Sequence, residues 1–467
     1  MSFPTAKAIV LFFLLSSNLV LANTTVVARS LDKRQLFNRC GNSRLGPLLA
    51  QSLQDANDIM ANMVDHLDLA IGLYRNDGSG ELRPEKLASN QRTFDEHNAF
   101  ATYRALISNH YTGVNAEGNR EGLARLKYTR ERAKTISDQL YKYLDGTPVR
   151  WTRGGFPYVN FYCNDNQVLA RRNSEGRTYT EDTGEDDSVF TNTGARLYWV
   201  LMKQATQKGR ETWVMRKAVC DADPDDPDYD TADDASDDGS DDSSDNGSDS
   251  SDDDSEDGSD NGSDNGPDDS DEDLPKRFGI PVEKRLNAYT YKAIFGAVEE
   301  TMVFCPAYHE RWLKIEADRL ASGTHYRNMH VGIGKKPTDE QKTSASLLLA
   351  DPDFDPKSKV RRGISWFGDF LVQVLIHEST HAEAFTGVGN ALVDVICRPP
   401  AGEEKKGNMR TTSLACLRAV VRGDDNVMGE GHQGHKDAEG FAMYAMATWV
   451  NTVAWYSGFN PKERVDA

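Results

Sequence analysis

His377-Glu378-Ser379-Thr380-His381 is the stretch of this 467-residue chain whose residue types and spacing could do chemistry. Two histidines four apart, with a glutamate beside the first, make the HExxH pattern. On an α-helix, positions i and i+4 lie on one face, one turn apart. Both imidazoles can then meet one Zn²⁺ at about 2.0–2.1 Å. The neighbouring glutamate can take a proton from the water that attacks a peptide carbonyl and pass it to the leaving amine. The spacing therefore predicts a zinc-dependent hydrolase with one Zn²⁺ per chain. His377 and His381 are its metal ligands and Glu378 its general base.

A catalytic zinc needs a third protein ligand and an open fourth position. The extended pattern HExxHxxGxxH is absent, because Ala384 stands at its glycine position and Gly387 at its third histidine. Two acidic candidates remain. Asp394 follows the Gly-rich turn Thr386-Gly387-Val388-Gly389-Asn390, which could bring the chain back beneath the metal. Glu439, in Asp437-Ala438-Glu439-Gly440-Phe441, is the alternative; it also reads as a group that locks two helices by holding a ligand. His432 and His435 are weaker candidates, since loop histidines are more often solvated.

The elements that must position these residues are mostly helical. Phe367 to Ile376, just before the motif, are largely apolar, and Gly363 to Phe385 read as one helix. Lys436 to Trp455 read as another, with Phe441, Tyr444, Ala445, Thr448, Trp449 and Val453 at three-four spacing. Residues 43–145 carry Leu48, Leu49, Leu53, Ile59, Met60, Met63, Val64 and Leu67 at helical spacing, and a further helix is expected from about Glu121 to Leu144. Tyr158 to Cys163 alternate as a strand would. Residues 188–203 predict a strand or short helix, and order resumes over Tyr289 to Cys305.

Net charge is −19, but Asp221 to Asp273 hold 26 acidic residues and no basic one. Outside that run, 54 basic residues face 47 acidic ones. This is too mild a surplus for a nucleic-acid binder. The run is an Asp/Ser/Gly/Asn repeat with almost nothing to bury, so residues 221–277 are expected to be a disordered acidic insertion. It matches no EF-hand loop. Asn246 and Asn261 stand in glycosylation sequons.

Ala8 to Ala22 form a short apolar run after Lys7, the pattern of a secretory signal over residues 1–22. Residues 23–34 end in Lys33-Arg34 and read as a propeptide cut by a kexin-type protease. Lys276-Arg277 and Lys284-Arg285 repeat the dibasic pattern. No other run could span a bilayer, so no membrane association is expected of the mature form. Six cysteines in a secreted chain suggest up to three disulfides, with Cys397 and Cys416 the plausible local pair.

Taken together, HESTHAEAF, an Asp after a Gly-rich turn, and Asp437-Ala438-Glu439-Gly440-Phe441-Ala442-Met443-Tyr444-Ala445 resemble the deuterolysin and peptidyl-Lys metalloendopeptidase family (aspzincins), fungal secreted zinc proteases. Val303-Phe304-Cys305-Pro306-Ala307-Tyr308 is similar to the family's Cys-Pro segment, and Tyr158 to Cys163 to its earlier Cys-bearing strand. The resemblance implies a mainly α fold with a small β-sheet (α+β) and a zincin-like HExxH helix. It also implies Asp394 as third ligand and a protein or peptide substrate. Residues 35–220 and 278–467 would then form one catalytic domain split by the insertion. Two departures stand out: Gly389 to Asp394 replace the family's GTxxD, and Asp437 and Glu439 replace its Asn and Asp. A secreted metalloendopeptidase is the leading expectation. A catalytically weak or inactive relative kept as a binding or effector protein is the alternative, against which the intact Glu378 argues.

Overall fold

The computed structural model describes residues 40, 43–108, 116–145, 158–163, 197–203, 211–217, 220, 287–291, 299–351, 363–398, 409–411, 414–424, 426–428, 434–455 and 461–464. The expected signal and propeptide, the acidic run with its sequons, the dibasic pairs and His432 lie outside the described residues.

Three helices open the fold: α1 (Gly46–Gly72), α2 (Phe94–Leu106) and α3 (Ala116–Asp145). In α1, Leu49, Leu53, Ala56, Ile59, Met60, Met63, Leu67 and Ala70 are all buried, as their spacing requires. Ser52, Asp55, Asn62 and His66 are buried as well, because α1 is packed on several sides. The start of α2 is fixed by a capping box: Thr93 Oγ1 accepts from Glu96 N at 3.2 Å and Glu96 Oε2 from Thr93 N at 2.9 Å.

Five strands follow: β1 (Tyr158–Tyr162), β2 (Leu197–Lys203), β3 (Glu211–Lys217), β4 (Ala288–Tyr291) and β5 (Glu299–Phe304). β2 and β3 pair with each other. The sheet that matters for the site has the order β1-β5-β4, with β1 parallel to β5 and β4 antiparallel to it. Its central strand thus comes from after the acidic run and one neighbour from before it. Alternation sorts the side chains: Val159, Phe161, Ala288, Met302 and Phe304 enter the main core. Tyr162, Tyr289, Val303 and Cys305 face the other way and pack around Cys220.

The remainder is helical: α4 (His309–Ser322), α5 (Asp339–Ala350), α6 (Leu371–His381), the single turn α7 (Glu383–Thr386), α8 (Leu414–Arg422) and α9 (Ala438–Trp449). A two-residue pair, β6 (Ile396–Cys397) with β7 (Met409–Arg410), precedes α8. The main core runs from Cys40 to Trp455 and draws on both sides of the acidic run, with α1 packed against α3, α6 and α9. Disulfides join Cys40 to Cys163, Cys220 to Cys305 and Cys397 to Cys416, the last as the short spacing suggested. The fold is mainly helical with a small sheet, and no helix among the described residues is long and apolar enough to cross a membrane.

Two helix expectations need correction. Gly363 to Phe385 is not one helix: Gly363–Asp369 is a 3₁₀ segment, Phe370 is extended (ψ 134°), and α6 stops at His381 because Ala382 is extended too (ψ 121°). The buried Glu300 of β5 explains the second break, since its carboxylate accepts Glu383 N (2.9 Å) and Ala384 N (2.6 Å) and starts α7 afresh. At the other helix, α9 runs only from Ala438 to Trp449, between the cap Asp437 and the non-helical Val450. Helices α4, α5 and α8 and strands β3, β6 and β7 were not anticipated.

Candidate metal centre

The site is built on α6, whose residues Leu371 to Thr380 are all buried. A helix wrapped in apolar neighbours can hold His377 and His381 on one rigid face. Their Nε2 atoms lie 3.2 Å apart. Asp394 reaches them from the far side of the Gly turn, with Oδ1 at 3.3 Å from both Nε2 atoms. For donors 2.0–2.1 Å from a tetrahedral ion, the edge between two donors is about 3.3–3.4 Å. The three observed separations fit that edge. Among the described residues this is the one group of three or more His, Cys, Asp or Glu whose donor atoms converge.

The turn that delivers Asp394 is pinned at each step. Gly387 and Gly389 take positive φ (91° and 72°), which side chains disfavour. Gly389 N donates to Glu383 Oε1 at 2.8 Å. Arg132 of α3 holds the turn from outside, donating to Thr386 O and Asn390 Oδ1. Leu392 N then bonds Thr380 O (2.8 Å), and Val393 forms a parallel bridge with Asp437, through Lys436 O (3.1 Å) and Ala438 N (3.0 Å). Asp394 is thus clamped between the end of α6 and the start of α9. Asp437 secures the second wall: buried at the N-cap of α9, it accepts Gly440 N (2.6 Å), Thr411 Oγ1 (2.7 Å) and Val395 N (3.3 Å).

Each histidine has its other nitrogen engaged. His381 Nδ1 donates to Leu392 O at 3.0 Å, and a carbonyl can only accept. That proton on Nδ1 leaves the Nε2 lone pair for a ligand. His377 Nδ1 faces Glu439 Oε2 at 2.9 Å, and Gln373, one turn earlier on α6, donates to the same carboxylate at 3.3 and 3.4 Å. Glu439 therefore stands behind His377 rather than beside the three donors. His435 is placed elsewhere. It meets Tyr128 edge-on at 5.3 Å and is no part of the cluster.

The electrostatics describe a pocket built for positive charge. Burial alone would lower both histidine pKa values. Asp394 outweighs it at each ring, joined by Glu439 at His377, and holds His377 well above its usual value and His381 above it. Burial would raise Asp394, yet the two imidazoles hold it well below the usual carboxylate range. Two imidazoles and one carboxylate are a donor set suited to a borderline-soft divalent ion such as zinc, and unsuited to calcium or magnesium.

Glu378 is buried beside the cluster, and burial pushes its pKa up. Thr290 of β4 donates to its Oε2 at 2.8 Å, while Oε1 has no hydrogen bond among the described residues. The sequence reading found neither Thr290 nor Glu300, which reach the site only through the sheet. Gln373 could have been read from its i−4 spacing to His377.

Comparison with protein-family models, with curated proteins and with solved structures finds no match for this chain.

Proposed function

We propose that this chain is a secreted zinc metalloendopeptidase with a zincin-like active-site helix, acting on protein or peptide substrates. The observation that carries the reading is the triangle of His377 Nε2, His381 Nε2 and Asp394 Oδ1, with edges of 3.2–3.3 Å and the buried Glu378 alongside. These three residues would hold one Zn²⁺ and leave a fourth position to water or substrate. When bound, zinc supplies Lewis acidity, which acidifies water and polarises a carbonyl.

The chain's own residues do the rest. Glu378 accepts a proton at Oε1 as water attacks the peptide carbonyl and returns it to the departing amine. Its burial raises its pKa, the direction that helps a carboxylate return the proton it has taken. Glu439 and Leu392 O hold the imidazoles in the orientation that presents Nε2. Secretion accords with the N-terminal signal pattern and the three disulfides.

The test combines metal analysis of the mature protein with a peptide-library digest. Wild type should carry one zinc and cleave internal peptide bonds. Glu378→Gln should keep the zinc and lose on the order of 10²–10⁴ in rate. Near-normal turnover in that variant would remove Glu378 from the mechanism, and wild type without zinc would remove the proposal.

A further inference from the structure

β4 is hydrogen-bonded to β5 on one side and lies against α6. Its register is set by Thr290 opposite Met302 and closed by Cys305 N donating to Asn287 O at 2.8 Å. This places one hydroxyl, Thr290 Oγ1, 2.8 Å from Glu378 Oε2 and 3.2 Å from the Glu378 carbonyl oxygen. A threonine has one proton to give. The carboxylate is the nearer acceptor and the charged one, so it receives that proton.

The consequence concerns the softest torsion in the site. The last torsion of a glutamate is broad and roughly two-fold, so backbone and rotamer preferences leave the carboxylate plane free to turn. The helix fixes where Glu378 starts but not how its carboxylate faces. Resting on the proposed hydrolytic reading, we propose that Thr290 is the positioning residue of the general base. Its hydroxyl locks Oε2 and dedicates Oε1 to proton transfer. The edge strand thereby sets the orientation of a group on the helix.

Three variants and two kinds of readout test this. Thr290→Val keeps the shape and loses the hydroxyl. It should retain zinc and KM while kcat falls on the order of 10- to 100-fold, the scale of one hydrogen bond to a charged group. Thr290→Ser keeps the hydroxyl and loses only a methyl, and should recover most of kcat. Thr290→Ala replaces valine should that variant fold poorly, with the same expectation. The readout independent of activity is the crystal structure of the metal-free Thr290→Val protein, in which the Glu378 carboxylate should leave its wild-type plane. The inference is overturned by a hydroxyl-free variant whose kcat stays within about twofold of wild type while Glu378→Gln is inactive. It is equally overturned by an unmoved carboxylate in the metal-free variant, whether or not wild type proves to be a protease. Failure of serine to restore the rate would show that packing, not the hydroxyl, is what matters. An inactive wild type would count against the hydrolytic reading alone.

Discussion

Asp394 and Glu439 are both acidic, both close to His377, and stand on opposite sides of its ring. Asp394 Oδ1 is 3.3 Å from Nε2, whereas Glu439 Oε2 is 2.9 Å from Nδ1. Truncating Asp394 to alanine removes one of three converging donors and leaves two imidazoles on one helix face. Truncating Glu439 leaves all three donors in place and removes only the acceptor behind one ring. Loss of such an outer partner costs metal affinity about 10–100-fold, or about 1.4–2.8 kcal/mol. Glu439→Gln should sit near the lower end of that range, because the amide oxygen can still accept from Nδ1–H although the charge is gone. Asp394→Ala should lose more than the whole range. Zinc competition against a chromophoric chelator at fixed pH and salt measures all three variants on one scale. Asp394→Ala binding zinc like wild type, with Glu439→Ala losing it, would refute the assignment of ligand and orienter.

Other parts of the molecule carry four further outcomes. Burial, then Arg125 and Lys436, depress the pKa of His435 from 6.5 to about 4. The unfolded chain therefore binds this proton first, and stability present above pH 6.5 should fall as pH drops toward 4; His435→Gln should flatten that slope in urea titrations. Replacing both Cys397 and Cys416 by serine should lower stability by up to about 3 kcal/mol in thermal unfolding. It should also weaken zinc binding, because the Cys397–Cys416 bond ties the strand that follows Asp394 to α8. Replacing residues 221–273 by a short Gly/Ser linker should leave the circular dichroism and zinc content unchanged. Residues 278–467 alone should fail to fold, since they lack α1, α3 and β1 from the common core; a stable, zinc-binding fragment would contradict this.

What the sequence disclosed about the site was the part set by local period. His377, Glu378 and His381 sit within two helical turns, and the turn glycines announce that the chain reverses before Asp394. The long buried faces of α1 and α3 were legible for the same reason. α4 and α5 were not, because only Trp312 and Glu316 of α4, and Ser344, Ala345 and Leu348 of α5, are buried, too few apolar positions to mark a stripe. The break at Ala382 was illegible because it depends on Glu300, a carboxylate arriving from a distant strand. Thr290 and Glu378 are 88 residues apart, and Arg132 and Asn390 are 258 apart. No periodicity links such pairs; only the closed fold brings them together.

Cys220 and Asn287 both end at the same residue. Cys220 is joined to Cys305 by a disulfide, and Asn287 O accepts the Cys305 amide at 2.8 Å. Residues 220 and 287 thus meet at one point just past β5, and the disulfide joins the two sides of the chain independently of the peptide bonds between them. Severing it at Lys276-Arg277 or Lys284-Arg285 would give two polypeptides that stay covalently one molecule, with every pairing in the sheet retained. Such a heterodimer would migrate as the intact protein under non-reducing electrophoresis and separate into its halves only after a thiol is added.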